Sequence, residues 1–417
     1  MKNLLFLLFA LLLFAACTTT TTPEAEAEAE EEIVNPIADS LTADLTAFYE
    51  RGHINGFAVA VVNEDKVLYQ NGFGFSDVHA KAAYTDNTVQ NIASISKTLI
   101  GIALVKAQEM GKLKLDDPIN DYLPYAVVNP NFPEDPITIR HLTTHTSSII
   151  DTEVYDGQSY IISDRQHPSE GRNQGSVEYF KPHSEDLPMA TFLQNVLDEN
   201  GEWYSKDIFL DKRPGTFFDY TNIGATLAAQ VLEYATGENF ADFTTQHILT
   251  PLGMKSSGWS FDAIDFAQHS TMYADSITEL PFYSLVTYPD GGLRTSSADF
   301  GLYLQELIRG YAGNGIILTK EGYEMFYEQQ MNDSQFEERD AEWTYNDEYD
   351  MGVFIGFAAE TYIGHTGGDP GVSSFMFFDK DKKIGRFLMV NTNINNEEGW
   401  NEFFGIWEKM KEYEDRL

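Results

Sequence analysis

Residues 92–113 read IASISKTLIGIALVKAQEMGKL. After Lys97 the stretch is apolar on nearly every face at its start, and a helix that is hydrophobic all round is normally buried. An ammonium carried into such a place is costly unless it is paired or gives up its proton. Lys97 is therefore either a surface group at the mouth of the helix or a chemical group. Ser94 stands three residues earlier, a spacing that puts both side chains on one helical face about one turn apart. Ser96, next to Lys97, points elsewhere, which leaves Ser94 as the candidate nucleophile. A serine hydroxyl is inert at neutral pH without a nearby base. A lysine desolvated by an apolar helix can be that base, because burial lowers its pKa. The helix N-terminus adds N–H donors for a developing oxyanion. Ser-x-x-Lys alone remains a weak signal, expected about once by chance at ordinary composition.

Two further motifs follow it along the chain. Residues 214–237, PGTFFDYTNIGATLAAQVLEYATG, carry Tyr220 and Asn222 just before an amphipathic helix that ends at Gly237. A tyrosine hydroxyl can relay protons, and an asparagine amide can hold a carbonyl. Residues 363–374, IGHTGGDPGVSS, carry His365, Thr366 and Gly367 just before an apolar hairpin. The order Ser-x-x-Lys, Tyr-x-Asn, His-Thr-Gly is far more specific than any of its parts.

With these motifs the chain resembles the serine β-lactamase and penicillin-binding-protein superfamily, and within it the class C β-lactamase-related hydrolases. That group includes D-Ala-D-Ala carboxypeptidases, esterases and D-aminopeptidases. The resemblance runs from about Gly56 to Asn393 and includes LDDPINDYLP (115–124), ITIRHLTTHTSS (137–148), PLGMKSSGW (251–259) and YPDGGLRTSSADF (288–300). It implies that Ser94 is acylated and that Lys97 accepts its proton. Tyr220 would shuttle the proton to the leaving group and activate water, although the division of base work between Lys97 and Tyr220 is open in this superfamily. Asn222 would bind the substrate carbonyl. His365, Thr366 and Gly367 would line the cleft on an edge strand, with Thr366 facing a substrate carboxylate, and the backbone N–H groups of Ser94 and Gly368 would form the oxyanion hole. Two departures stand out. Lysine is usual in true β-lactamases of this class where His365 stands, and Ser148 replaces the glycine of the family's His-Thr-Ser-Gly.

The resemblance also implies an α+β, β-lactamase/transpeptidase-like fold. The residues agree. GFAVAVVNEDKVLYQNGFGF (56–75) reads as two strands around a turn at Asn63 to Asp65, and SSFMFFDKDKKIGRFLMVNTN (373–393) as a hairpin turning at Asp379 to Lys383. From Ser94 to about Leu307 the reading is mostly helical with long loops. One antiparallel sheet built from both ends of the chain, flanked by helices and carrying a helical insertion, is expected over residues 35–417. Asp151 to Lys212 is long for a connection, and long loops in compact domains are usually functional. It is read as a flap over the cleft.

Other candidates are weaker. His141 and His145 are four apart, but Leu142 stands where a zinc protease has glutamate, so the pair is read as structural and no metal or cofactor is expected. Gly72 and Gly74 end a strand with no helix opening after them, which argues against a nucleotide site. Arg294 is either a partner for a substrate carboxylate or a solvated surface residue. The rival to an enzyme is a penicillin-binding or cell-wall sensor module that acylates without turnover; Tyr220, which deacylation would use, favours the enzyme.

Net charge is −38 over 417 residues, and only six of the 65 acids lie in Glu24 to Glu32, so the remainder of the chain is acidic too. Such a surface repels phosphate backbones and argues against nucleic acid as a partner. A small-molecule or peptide substrate is expected, and the chain is read as a monomer. Lys2 followed by the apolar run Leu4 to Ala16 has the length of a signal-peptide core. LFAAC, ending at the single cysteine Cys17, resembles a bacterial lipoprotein site, with residues 1–17 as the signal peptide and 18–34 as a polar, self-repelling tether. The expected product is exported and held at a bacterial membrane by lipid on Cys17. Cys17→Ser should therefore move the protein into the soluble fraction, and a variant that stays with membranes in high salt would contradict the lipid anchor.

Overall fold

The computed structural model describes residues 35–336, 351–358 and 361–417. The expected signal, tether and Cys17 lie outside the described residues. The core sheet contains β1 (Gly56–Asn63), β2 (Val67–Asp77), β3 (Ala82–Ala83), β4 (Gly356–Phe357), β5 (Tyr362–Asp369), β6 (Val372–Asp379) and β7 (Ile384–Val390), in the order β3-β2-β1-β7-β6-β5-β4. All its pairings are antiparallel, and β1 from the start of the domain lies against β7 from its end, with Val59 opposite Leu388. Both expected hairpins form.

Side chains alternate between the two faces of a strand, and here both faces are covered. Phe57, Val59 and Val61 of β1, with Phe375, Phe377, Leu388 and Val390, pack beneath helices α1 (Pro36–Tyr49) and α5 (Glu397–Tyr413). Those helices lie outside the hairpins read from the sequence. The second has a clear amphipathic stripe in Phe403, Ile406, Trp407, Met410 and Tyr413, all buried, and Asn396 caps its first turn. Ala58, Ala60 and Val62 face the other way, into the main core. Their small size lets helix α4 (Ser297–Tyr311) approach closely at Gly301.

The region between Ser94 and Leu307 has fewer helical residues than its sequence suggests. Long irregular stretches connect α2 (Lys97–Glu109), α3 (Asn222–Thr236) and several shorter helices. The centre is α2, buried from Lys97 through Val105. A glycine within a helix costs about 1 kcal/mol relative to alanine. Gly101 is kept there by a close approach: a Cβ would lie 2.1 Å from the Val353 carbonyl oxygen. The backbone at Val353 and the neighbouring helices thus close over α2 and leave its first residue inside the protein.

Candidate active site

Ser94 sits in a tight 3-10 turn, Ala93–Ser96, that runs straight into α2. Ala93 has φ +51, a left-handed conformation that non-glycine residues seldom adopt. From Thr88 to Val105 every residue is buried except Ser94, which is half-buried. The turn therefore presents one hydroxyl at the floor of an otherwise closed region. Ser96 is consumed structurally, its Oγ accepting the Leu293 N–H at 3.2 Å.

Lys97 is 0% exposed. Its Nζ lies 3.0 Å from Ser94 Oγ, 2.7 Å from Asn222 Oδ1 and 2.8 Å from the Asp290 carbonyl oxygen. The Tyr220 ring centroid is 5.1 Å away. The Ser-x-x-Lys and Tyr-x-Asn motifs, 125 residues apart between Lys97 and Asn222, thus meet around one nitrogen.

Asn222 is held rigidly. It is the first residue of α3, whose N-cap is Thr221, with Thr221 Oγ1 accepting the Gly224 N–H at 3.1 Å. The Asp151 carboxylate accepts four bonds at this helix start: from Thr221 Oγ1, the Ile223 N–H, the Asn222 N–H and Asn222 Nδ2, at 2.8 to 2.9 Å. A carboxylate at a helix N-terminus is favoured by the unpaired N–H groups and the helix dipole. Because Nδ2 donates to Asp151, Oδ1 is the atom turned to Lys97.

Tyr220 is positioned by His145. The two rings stack at 4.4 Å, and His145 is itself fixed by the Thr221 N–H on its Nδ1 at 3.2 Å. Burial holds the His145 imidazole well below its ordinary pKa, with the charges of Lys97 and His365 adding to the effect. His141 caps a different helix, accepting the Thr138 N–H on Nδ1. The two histidines do separate structural work. Ser148 has φ +67 and accepts Asn129 Nδ2 at 2.8 Å on its Oγ. The loop thus keeps a left-handed residue where the resemblance has glycine.

The third motif lies on β5. Gly367 packs directly on the Ser94 turn, since a Cβ there would meet the Ile92 carbonyl oxygen at 2.4 Å and the Ala93 Cβ at 3.3 Å. Ser374, opposite it on β6, donates to the same Ile92 carbonyl at 2.7 Å. Gly368 is exposed with open space where a Cβ would be. Thr366 is half-buried, whereas His365 is 2% exposed, with Nδ1 2.6 Å from the Thr366 carbonyl oxygen and its ring 6.3 Å from that of Tyr220. His365 therefore lies beneath the cleft rather than at its lip.

Two expectations are corrected. Arg294 is neither a solvated residue nor near an open cleft. It is 3% exposed, donates to the carbonyls of Trp259, Gly292 and Tyr283 and to Ser284 Oγ, and lies over the Phe261 ring. Burial lowers its pKa to about 10. It is a strut made from a buried cation and backbone carbonyls. The 151–212 segment is not a free flap either. Residues 160–162 pair with 283–285, Arg172 joins Asp77 and Glu279 in a largely buried ion network, and Met189–Leu197 is a core helix. The portion from Asp151 to Phe180 reaches the site, where Asp151, Tyr155 and Tyr160 bond to Thr221, Asp290 and Asp369.

Sequence reading missed three carboxylates: Asp151, Asp290 and Asp369. Asp290 is fully buried, and its Oδ2 accepts Tyr155 OH and Thr226 Oγ1, both at 3.0 Å. Burial raises its pKa to about 6, against a lowering by Lys97 and by the hydroxyls of Thr287, Thr226 and Tyr155. Asp369, at the end of β5, accepts Tyr160 OH at 2.9 Å.

A family model described as Beta-lactamase matches residues 39–403. The chain belongs to the Beta-lactamase family. This places it in the superfamily of serine β-lactamases and penicillin-binding proteins, a group of serine hydrolases. The chain is 26% identical over 258 residues to Protein flp of Staphylococcus aureus (strain MW2), covering 60% of this chain and 45% of that protein. It thus spans less than half the length of that curated relative. Among solved structures, the D-amino acid amidase from Ochrobactrum anthropi SV3 complexed with L-phenylalanine matches with a TM-score of 0.65 at 19% identity, covering 91% of this chain and 99% of that one. The D-alanine carboxypeptidase from Burkholderia cenocepacia gives 0.61 at 19% identity, covering 89% and 99%. At these identities the likeness shows the fold, which is the expected β-lactamase/transpeptidase-like one.

Asp290 should tune the protonation of Lys97. Above about pH 6 it is a buried anion whose backbone carbonyl touches Lys97, and its charge favours the ammonium form of that residue. Asp290→Asn removes the anion, so the acid limb of the kcat/KM profile should move to lower pH, by about one unit if the lost interaction is about 1.4 kcal/mol. An unmoved limb would mean that Asp290 acts only through its backbone.

Proposed function

We propose that the protein is a serine hydrolase that cleaves an amide or ester through an acyl-enzyme on Ser94. The observation that carries this reading is the half-buried Ser94 hydroxyl 3.0 Å from a fully buried Lys97 nitrogen.

The surroundings of Lys97 favour its role as base. Asn222 Oδ1 and the Asp290 carbonyl are acceptors only. They take two N–H bonds from Nζ whether it is charged or neutral. In the neutral amine the remaining lone pair faces Ser94 Oγ, which is the arrangement that removes the hydroxyl proton. Ser94 Oγ then attacks the substrate carbonyl, and the proton held on Nζ passes to the leaving group as the tetrahedral intermediate collapses. Tyr220 is the relay for that transfer, its ring held between Lys97 and His145. Water attacks the acyl-enzyme in the second half-reaction and restores Ser94. The oxyanion would be received by the backbone N–H groups of Ser94 and Gly368, a reading supported by the packing of Gly367 on Ala93. Asn222 Nδ2 spends one proton on Asp151 and has a second to offer a substrate carbonyl.

The substrate is a D-amino-acid peptide or amide, an ester or a β-lactam. The fold shared with a D-amino acid amidase and a D-alanine carboxypeptidase supports the first of these. Export and attachment through Cys17, as read from the sequence, would put the site where such substrates are met.

Intact-mass spectrometry after treatment with a fluorophosphonate should show one adduct per chain, absent in Ser94→Ala. Turnover of a chromogenic cephalosporin, a p-nitrophenyl ester or a D-Ala-D-Ala peptide should vanish in the same variant. Labelling that survives Ser94→Ala contradicts the assignment; labelling without turnover of any member of a broad panel favours a non-catalytic penicillin-binding module.

A further inference from the structure

A cavity of about 600 Å³ opens beside the nucleophile turn. Its wall nearest the chemistry is the β5 edge, Thr366 to Asp369, and the opposite wall comes from Tyr160, Val177 and Tyr179 of the 151–212 segment, with Trp400 of α5 at one end. Ser94 itself is not in the wall. The connection is the exposed Gly368 and the strand that packs on Ala93.

Two features of the lining are unusual for a site expected to hold a carboxylate. No lysine, arginine or histidine contributes to it, and one carboxylate, Asp369, does. Asp369 is half-buried and is held from behind, with Oδ1 accepting Tyr160 OH at 2.9 Å and Oδ2 3.5 Å from Asn91 Nδ2. Neither partner is a cation, and among the described residues no ion pair reaches it. The carboxylate is close to the reaction centre. A Cβ placed on Gly291 would lie 3.2 Å from Asp369 Oδ2 and 3.7 Å from the Ala93 Cα, so both border Gly291. Tyr160, Tyr179, Phe180 and Tyr283 form a packed aromatic cluster around it, with centroids 4.9 to 5.8 Å apart.

A partly desolvated anion backed by aromatic rings is the chemistry that recognises an ammonium group. We propose that Asp369, with the aromatic wall of Tyr160 and Tyr179, forms a subsite for a positively charged amine of the substrate, so that the enzyme selects amides or esters bearing a free ammonium over those bearing a carboxylate. This rests on the serine-hydrolase reading above and names its substrate class. It also accounts for His365, which is tucked beneath the cleft and provides no fixed cation at the lip.

Burial raises the Asp369 pKa to about 7, with Asp290 adding to the rise and Tyr160, Lys97 and Asn91 opposing it. The groups facing it are therefore Tyr160, Tyr179, Tyr283, Asn91, Asp290 and Lys97. Of these, Asp290 titrates near pH 6, below the range where Asp369 gains its charge. Ammonium binding should strengthen as pH rises through about 7.

The test uses protection of Ser94 from a neutral fluorophosphonate, read as a labelling rate by mass spectrometry. Benzylammonium, benzyl alcohol and benzoate compete in turn, at pH 8 and at pH 5.5. At pH 8, benzylammonium should protect with a roughly tenfold lower inhibition constant than benzyl alcohol, equivalent to about 1.4 kcal/mol, and benzoate should be the weakest. At pH 5.5 the advantage of the cation should largely disappear. Asp369→Asn should abolish the advantage of benzylammonium over benzyl alcohol at pH 8, each compared with the variant's own uninhibited labelling rate. Equal protection by cation and alcohol in the wild-type protein at pH 8, or stronger protection by benzoate, overturns the proposal without needing the variant. Calorimetric titration of Ser94→Ala with benzylammonium keeps the subsite testable if Ser94 proves not to be the nucleophile. Binding there, with no labelling of the wild type, would separate a failed hydrolase reading from a failed subsite, and absence of binding would overturn the subsite.

Discussion

The structure is organised around one buried nitrogen. Lys97 Nζ is fully buried, and oxygens from three parts of the chain bond to it: Ser94 from its own turn, Asn222 from α3 and the Asp290 carbonyl from the segment leading to α4. Leaving a buried charged or polar group without partners costs several kcal/mol. Each of these oxygens is therefore fixed in turn. Asp151 orients Asn222 with two bonds, and Tyr155 and Thr226 hold Asp290. The requirement to satisfy one amine propagates into a polar cluster that joins α2, α3 and the first part of the 151–212 segment.

The sheet closes this arrangement from the other side. A side chain at Gly367 would collide with the Ile92 carbonyl, and Ser374 binds that same carbonyl, so β5 and β6 are pressed onto the Ser94 turn. The consequence is chemical. The cavity at the sheet edge takes its lining from β5, with Gly368 exposed and Asp369 as the charged group. An acidic cleft in a chain of net charge −38 is consistent across scales, from the surface as a whole to the single residue at the end of β5.

Much of this was legible in the residues. The all-apolar face of α2 exposed the anomaly of Lys97, the Tyr-x-Asn and His-Thr-Gly motifs pointed to the same cleft, and the two hairpins gave the sheet. The helix at Glu397–Tyr413 carries a readable apolar stripe as well. Other features have no local signature. Asp151, Asp290 and Asp369 act across separations of 71, 135 and 209 residues from Asn222, Tyr155 and Tyr160, and an isolated aspartate in a loop looks the same whether it is solvated or buried. Arg294 misleads for a related reason: its partners are backbone carbonyls, which any sequence supplies. The 151–212 segment looked like a flap because its composition is polar, whereas its polar residues are spent on internal bonds.

The central claim, that buried Lys97 removes the proton from Ser94, is tested most directly by the rate at which Ser94 is acylated in Lys97→Met, a variant that keeps an unbranched side chain of similar length and removes the nitrogen. With folding verified by the unfolding transition, the single-turnover rate with a fluorophosphonate should fall by roughly 10²–10⁴-fold, the usual contribution of a positioned general base, with the slow adduct still on Ser94. A folded variant acylated at close to the wild-type rate would contradict the account and transfer the role of base to Tyr220.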